Sequence, residues 1–294
     1  MRLLVTIPHY FRHTEAGTPF YDSEKGFIEA RRDIVERCLA AINQTFGPHQ
    51  ALFGPTMAAC NTPANHIDVV LITTGEDHLA DLLPAPLFHH YRTSVTPRHL
   101  GFVCHEFLRE HSGRYDWYAY LEDDIEVSDP LLFEKLRWFG ATFHPAALLQ
   151  PNRYELASDL SILKMYVDGQ MNHPEMARRH QDITVNARLE AELLGRTFRF
   201  DRVDNVHAGC FFLDGRQLAR VAAAPAFGRP TDAFCGPLES AATLPLMQAF
   251  QVYKPDRENA GFLEVRHLGR RFLAPTGPRP SPEPDPVPTP ESEP

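Results

Sequence analysis

The chain has 294 residues, 43% hydrophobic and 23% charged, the profile of an ordinary water-soluble globular protein with room for one large domain or two small ones. Its 38 acidic and 29 basic residues give a formal net charge of −9, which argues against a general nucleic-acid binder. Five scattered cysteines (Cys38, Cys60, Cys104, Cys210, Cys235) without C-x-x-C spacing argue against a disulfide framework or a structural zinc site, and fit reduced thiols in a cytoplasmic protein.

Leu3 to Ile7 is a short apolar run that reads as a buried strand, and Pro8 breaks it too early for a signal-peptide core. No later stretch approaches the length of a membrane span. A loop from Pro8 to about Lys25 leads to Gly26–Phe46, where Phe27, Ile28, Ile34, Val35, Leu39 and Ile42 recur with helical spacing. Ile67–Thr73 is the second strand and ends in the polar turn Thr73-Thr74-Gly75-Glu76-Asp77. A short helix, an extended piece near His89–Arg92, a helix over Leu100–His111 and a strand over Trp117–Leu121 follow. Asp129-Pro130 supplies an N-cap and a first-turn proline for a helix over Leu131–Phe139. This alternation predicts an α/β fold with a mostly parallel sheet.

The second half is less regular. Extended pieces are expected at Ala147–Gln150, Leu160–Val167, Thr197–Phe200, Asn205–Leu213 and Gly261–His267, with helices over Gly215–Ala223 and Leu238–Phe250. From Ala274 to Pro294 alternating prolines lack the aliphatic partners a core requires, so this stretch reads as a disordered, extended tail.

The chemistry concentrates in Trp117-Tyr-Ala-Tyr-Leu-Glu-Asp-Asp-Ile-Glu126, where a hydrophobic strand runs into three consecutive carboxylates. At about 4 Å each like-charged pair costs roughly 1 kcal/mol in water and about 4 kcal/mol at an effective dielectric near 20. Full solvent relieves that repulsion, and so does a cation. Oxygen ligands favour Mg²⁺ or Mn²⁺, which are held by one or two carboxylates plus substrate phosphates. Strict alternation puts Glu122 and Asp124 on one face and Asp123 on the other. The plain alternative is an acidic surface loop, although Asp129 already accounts for the start of the next helix.

With Tyr120-Leu-Glu-Asp-Asp-Ile125 at a strand end in an α/β half, the chain resembles the GT-A class of nucleotide-sugar glycosyltransferases, whose signature is Asp-x-Asp or a variant such as Glu-Asp-Asp. The resemblance implies an α/β/α layered catalytic domain over residues 1–273, with a nucleotide-binding half (1–140) and an acceptor half (141–273). It implies metal-dependent transfer of a sugar from a nucleotide-diphosphate sugar to a hydroxyl acceptor, a glycan or another molecule. Asp124 would ligate Mn²⁺ or Mg²⁺ on the donor diphosphate, Glu122 would contact the ribose or a metal-bound water, and Asp123 would lie near the donor sugar. Pro8, His9 and Tyr10 would border the base, with Thr74 and Glu76 nearby. His267 would be a further metal ligand, and Arg266, Arg270 and Arg271 would neutralise the leaving diphosphate.

Glu239, behind Gly236-Pro237-Leu238, fits by position the general base of an inverting transfer, with Asp232 its nearest competitor. An acid in a first helical turn also complements the helix dipole without any catalytic role. Gly209 interrupts the run His207–Leu213, as backbone does where it approaches a ligand or packs closely. The P-loop, GxGxxG, HExxH and Gly-x-Ser-x-Gly patterns are absent. Two rivals remain: a nucleotidyltransferase that makes a sugar nucleotide, and a non-catalytic relative that binds a glycan or nucleotide. Against the first, Pro8–Lys25 has only Gly17, Arg12 and Lys25 where a Gly- and Arg/Lys-rich loop is usual.

Overall fold

A computed structural model describes residues 1–12, 28–48, 50–60, 65–157, 162–169, 171, 173–269 and 271–273. The expected proline-rich tail and Arg270 lie outside the described residues, as do Gly26 and Phe27 of the expected first helix.

Four parallel strands carry the first half: β1 (Arg2–Pro8), β2 (His66–Thr74), β3 (His89–Thr93) and β4 (Trp117–Leu121), in the spatial order β4-β1-β2-β3. Leu3 pairs with Ile67 on one side and Trp117 on the other, so the three apolar runs lie in register at the centre. Side chains alternate across the sheet. Leu3, Val5, Ile7, Ala119 and Leu121 face one layer, whose helices are α1 (Ile28–Phe46) and α3 (Leu132–Thr142). Leu4, Val70, Ile72, Tyr118 and Tyr120 face the other, built on α2 (Leu100–Glu110) and two later helices. Both faces are covered, which is why these strands read as continuous apolar runs; each fully buried aliphatic side chain contributes about 1.5–3 kcal/mol.

The second half adds a β5 strand (Ile125–Glu126) directly after the carboxylates, then β6 (Ala147–Leu149), β7 (Asn152–Leu156) and β8 (Lys164–Tyr166). A hairpin of β9 (Arg188–Leu193) and β10 (Arg196–Arg202) precedes β11 (Cys210–Asp214), α4 (Gly215–Ala222), α5 (Pro237–Ala249), β12 (Gln251–Pro255) and β13 (Glu264–His267). β11 joins the main sheet antiparallel to β4. The others form two four-stranded sheets, β8-β7-β13-β5 and β9-β10-β12-β6. The first of these links the turn after β4 to the last strand, because Ile125 pairs with His267.

Several expectations shift. Residues 205–209 are not strand, and the strand expected from Gly261 starts at Glu264, after a 3-10 segment over Arg257–Phe262. α3 begins at Leu132 with Leu131 as its N-cap. Asp129 lies two residues earlier, where its carboxylate accepts from the Leu131 N–H at 2.9 Å and pairs with Lys135 at 2.6 Å.

The second core layer contains a fully buried histidine. His105 stacks on Phe227 with ring centroids 4.4 Å apart; its Nδ1 accepts from the Gly228 N–H at 3.1 Å, so Nε2–H donates to the Ala241 carbonyl at 3.0 Å. Burial lowers its pKa to about 3. The unfolded chain binds this proton near pH 6.5 and the folded chain does not, so this contribution to stability is complete above pH 6.5 and is lost as pH falls toward 3. The His105 ring resonance should therefore stay at its neutral position down to pH 5 in the folded protein; a midpoint near 6.5 would contradict this burial.

Candidate active site

β1, β4 and the segment before β11 converge on a cleft of about 370 Å³ beyond the carboxyl ends of β1 and β4. Its walls include Pro8, Tyr10, Glu122, Asp123, Asp124, Glu239 and His267. These seven positions are separated by more than 250 residues of chain, and topology gathers them: strand ends bring in the first five, the first turn of α5 brings Glu239, and β13 brings His267.

The three carboxylates have unlike surroundings. After Leu121 the chain turns, with the Ile125 N–H donating to the Glu122 carbonyl at 3.1 Å, so simple strand alternation ends there. Asp123 is buried and both its oxygens are engaged. Oδ2 lies 2.6 Å from His9 Nδ1, and Oδ1 accepts from Arg31 Nη2. Glu122 fits because Gly209 has no side chain: a Cβ there would sit 2.7 Å from Glu122 Oε2, and Gly209 has a left-handed backbone at φ +62°. The glycine thus makes room for a carboxylate of the chain itself. Asp124 keeps one oxygen, Oδ1, buried without a hydrogen-bond partner among the described residues, while Oδ2 lies 3.4 Å from His267 Nε2.

These settings separate the acids electrostatically. Burial, with Asp124 beside it, pushes Glu122 up to about 8. Burial also disfavours the Asp124 charge, but hydrogen bonding to His267 and the charges of His267 and Arg31 outweigh it and hold Asp124 well below the usual carboxylate range. His267 is its counterpart. Burial opposes its proton, but the hydrogen bonds to Asp124 and Glu155 raise it to about 10.

Arg153 and Glu155 on β7 complete the set. Glu155 is fully buried and accepts from His267 Nδ1 at 2.8 Å and from the Leu273 N–H at 2.7 Å, with the Phe272 N–H at 3.2 Å. It thereby aims His267 Nε2 at Asp124 and fixes the 271–273 segment, whose Arg271 and Phe272 line the cleft. Arg153 also lines it. Its Nε donates to Asp168 at 2.8 Å, and Asp168 in turn accepts from the buried Lys254 at 2.6 Å. Burial works against the Arg153 charge, and Asp168 and Glu122 more than restore it. His207, partly buried on the cleft wall, is held neutral far below its ordinary value by desolvation and by the nearby Arg153 charge; its Nδ1 lies 2.9 Å from the Thr243 hydroxyl.

Other expected positions do not reach the cleft. His9 is 1% exposed; its Nδ1 proton goes to Asp123 and its Nε2 accepts from the Leu79 N–H at 3.0 Å, which leaves no ring nitrogen for a ligand. Thr74 is buried and donates to the Val95 carbonyl at 2.5 Å. The Glu76 side chain is 87% exposed near Arg92. Arg266 alternates away from His267 on β13 and faces Glu126 at 3.5 Å. The nearby cleft cations are Arg31, Arg153 and Arg271. Sequence reasoning does not single out Arg31 and Arg153, because each is recognisable only through an acid far along the chain.

The cleft lining holds two further buried atoms without a hydrogen-bond partner among the described residues, Tyr120 Oη and Glu239 Oε2. Glu239 is the third residue of α5, after the proline at the first position. Two substitutions separate scaffold from orphan groups. Asp123→Ala removes the buried carboxylate that Arg31 and His9 share and should cost about 3–5 kcal/mol in denaturant unfolding. Tyr120→Phe removes a hydroxyl that bonds to nothing in the described fold and should leave stability unchanged or raise it; a loss above about 1 kcal/mol would show that the hydroxyl has a partner.

No family model matches the chain, and no curated protein matches it in sequence. Among solved structures it is similar to a mannose-1-phosphate geranyltransferase from Thermus thermophilus, at 13% identity and a TM-score of 0.38, over 86% of this chain and 72% of that one. So distant a likeness carries no argument about this chain's reaction. Among the described residues the chain is a mixed α/β protein with one five-stranded, two four-stranded and one two-stranded sheet, and with helices on both faces of the largest.

Proposed function

We propose that this protein is a divalent-metal-dependent glycosyltransferase on a GT-A-like core, moving a sugar from a nucleoside-diphosphate sugar to a hydroxyl acceptor. One observation carries the reading: a single cleft holds two buried carboxylate oxygens without hydrogen-bond partners among the described residues, Asp124 Oδ1 and Glu239 Oε2. Leaving a buried acceptor unpaired costs about 1–3 kcal/mol, more for a charged group. A cation at the first and a hydroxyl proton at the second recover that cost when substrate binds.

The residues present fit a hard divalent ion. Asp124 offers an oxygen that is unpaired among the described residues, and His267, whose Nδ1–H goes to Glu155, would offer Nε2 once a cation displaces the proton it holds toward Asp124, a carboxylate–histidine arrangement common beside metals. Among the described residues no three His, Cys, Asp or Glu side chains form a preformed cage. Mg²⁺ or Mn²⁺ held by one or two side chains and completed by phosphate oxygens suits that incomplete set. When bound, the ion supplies Lewis-acid stabilisation for the departing diphosphate.

The chain's own groups do the rest. Arg153 and Arg271 present guanidinium charge to the diphosphate, Arg153 held in place by Asp168. Pro8 and Tyr10 form the wall for the nucleotide. Glu239 accepts the proton of the acceptor hydroxyl as that oxygen attacks the anomeric carbon, which inverts the configuration.

Two variants test the division of labour in the presence of Mn²⁺ and a nucleotide-sugar panel. Glu239→Gln should keep cation-dependent nucleotide binding while transfer falls by about 10²–10⁴-fold. Asp124→Asn should lose the cation dependence of binding as well as transfer. Glu239→Gln with an undiminished rate removes the base assignment, and Asp124→Asn with unchanged cation-dependent binding removes the metal assignment.

A further inference from the structure

Away from the cleft, α3, the β9–β10 hairpin and the Arg257–Phe262 segment enclose a groove of about 680 Å³. Its surface is mostly aromatic and aliphatic: Trp138, Tyr166, Phe198 and Phe262, with Leu194 at the hairpin turn 94% exposed. A leucine so exposed beside an aromatic groove is apolar surface that no described residue covers. Two guanidiniums, Arg196 and Arg257, stand at the same groove and form no ion pair among the described residues; Arg196 lies over the Phe198 ring at 5.5 Å. Of the two acids lining it, Glu258 is paired to Arg199 at 2.8 Å and Glu134 has no ion pair among the described residues, so the groove carries a cationic excess beside Lys135, which is paired to Asp129.

The chain also carries a segment whose chemistry matches this groove. Residues 274–294 alternate proline with small and acidic residues and, beyond Arg279, carry Glu283, Asp285, Glu291 and Glu293 with no base. Proline-rich segments bind aromatic-lined grooves at low ordering cost, because the polyproline II conformation is already restricted. The four acids of the segment complement the charge of Arg196 and Arg257, which pair with no acid among the described residues.

Reach is sufficient. Leu273 is fixed to Glu155 on β7, three residues along that strand from Asn152, which pairs with Glu264. That is about 10 Å at the rise of a strand. Glu264 accepts from Tyr166 at 2.6 Å, at the rim of the groove. At about 3.1 Å per residue a polyproline segment of 21 residues extends to about 65 Å. Tethering at this distance makes the encounter intramolecular, with an effective concentration in the millimolar range.

We propose that the acidic proline-rich segment 274–294 of this chain docks in the Trp138–Phe198–Phe262 groove. The assignment does not depend on the transfer reaction proposed above. Docking there also anchors, from its far side, the 271–273 segment that lines the cleft.

The test uses the full chain and its two tryptophans, of which Trp117 is buried in the main sheet and Trp138 lies on the groove. Iodide quenching of Trp138 is measured for the wild type, for the triple variant Pro282→Gly, Pro284→Gly, Pro286→Gly, and for Arg196→Ala with Arg257→Ala. Circular dichroism and melting temperature monitor the fold, whose core the tail changes do not touch. The proposal expects quenching to rise about threefold or more in both variants, independently of protein concentration. Equal quenching in all three proteins overturns it. Protection that grows with protein concentration also overturns it and assigns the groove to a second copy.

Discussion

The site depends on how Asp123 is held. Its carboxylate receives His9 from the end of β1 and Arg31 from the first turns of α1, and His9 is itself fixed by the Leu79 N–H. Three distant segments therefore meet on one buried acid. With Asp123 neutralised by these partners, the strand end no longer presents three equivalent charges. Glu122 rests in the space left by Gly209, and Asp124 projects into the cleft with an oxygen to spare. A run of carboxylates that repels itself in sequence becomes an ordered set because each member meets a different neighbour.

A second buried knot arranges the opposite wall. Asp168 takes the Arg153 guanidinium and backbone N–H together with Lys254, and Lys254 also donates to the His207 carbonyl at 2.7 Å. Two residues on, Glu155 gathers His267 and the 271–273 segment. Alternation along β7 thus turns Arg153 and Glu155 inward together, one toward each half of the cleft. Buried charges of this kind are costly alone and tolerable only when fully partnered, so the network specifies geometry more than it adds stability. The oxygens of Asp124 and Glu239 that have no partner among the described residues stand out against that background.

How much of this is legible in the sequence follows from where the information lies. β1, β2 and β4 are readable because sheets covered on both faces write themselves as apolar runs. The β9–β10 hairpin is only half readable: Arg188-Leu-Glu-Ala-Glu-Leu193 alternates charge with small or aliphatic residues, and an exposed strand with that pattern resembles a solvated segment. β7 misleads further, since its buried positions are Arg153 and Glu155 while Tyr154 is the less buried. The acidic triplet points to the cleft, but the partners that rank its members, Arg31, Arg153 and Glu155, lie far along the chain. His267 and Arg266 can be told apart only once the strand direction of β13 is known.

The central claim is that the cleft binds a nucleoside diphosphate through a cation on Asp124. The most direct measurement is the melting temperature across a panel of nucleoside diphosphates, each with and without Mn²⁺. Ligand at a hundred times its dissociation constant adds about 2.7 kcal/mol, worth about 5–10 °C for a chain of this size. The account predicts a shift of that order with at least one nucleotide, present only with the cation and absent in Asp124→Asn. Melting temperatures that no nucleotide moves in a cation-dependent way would contradict it.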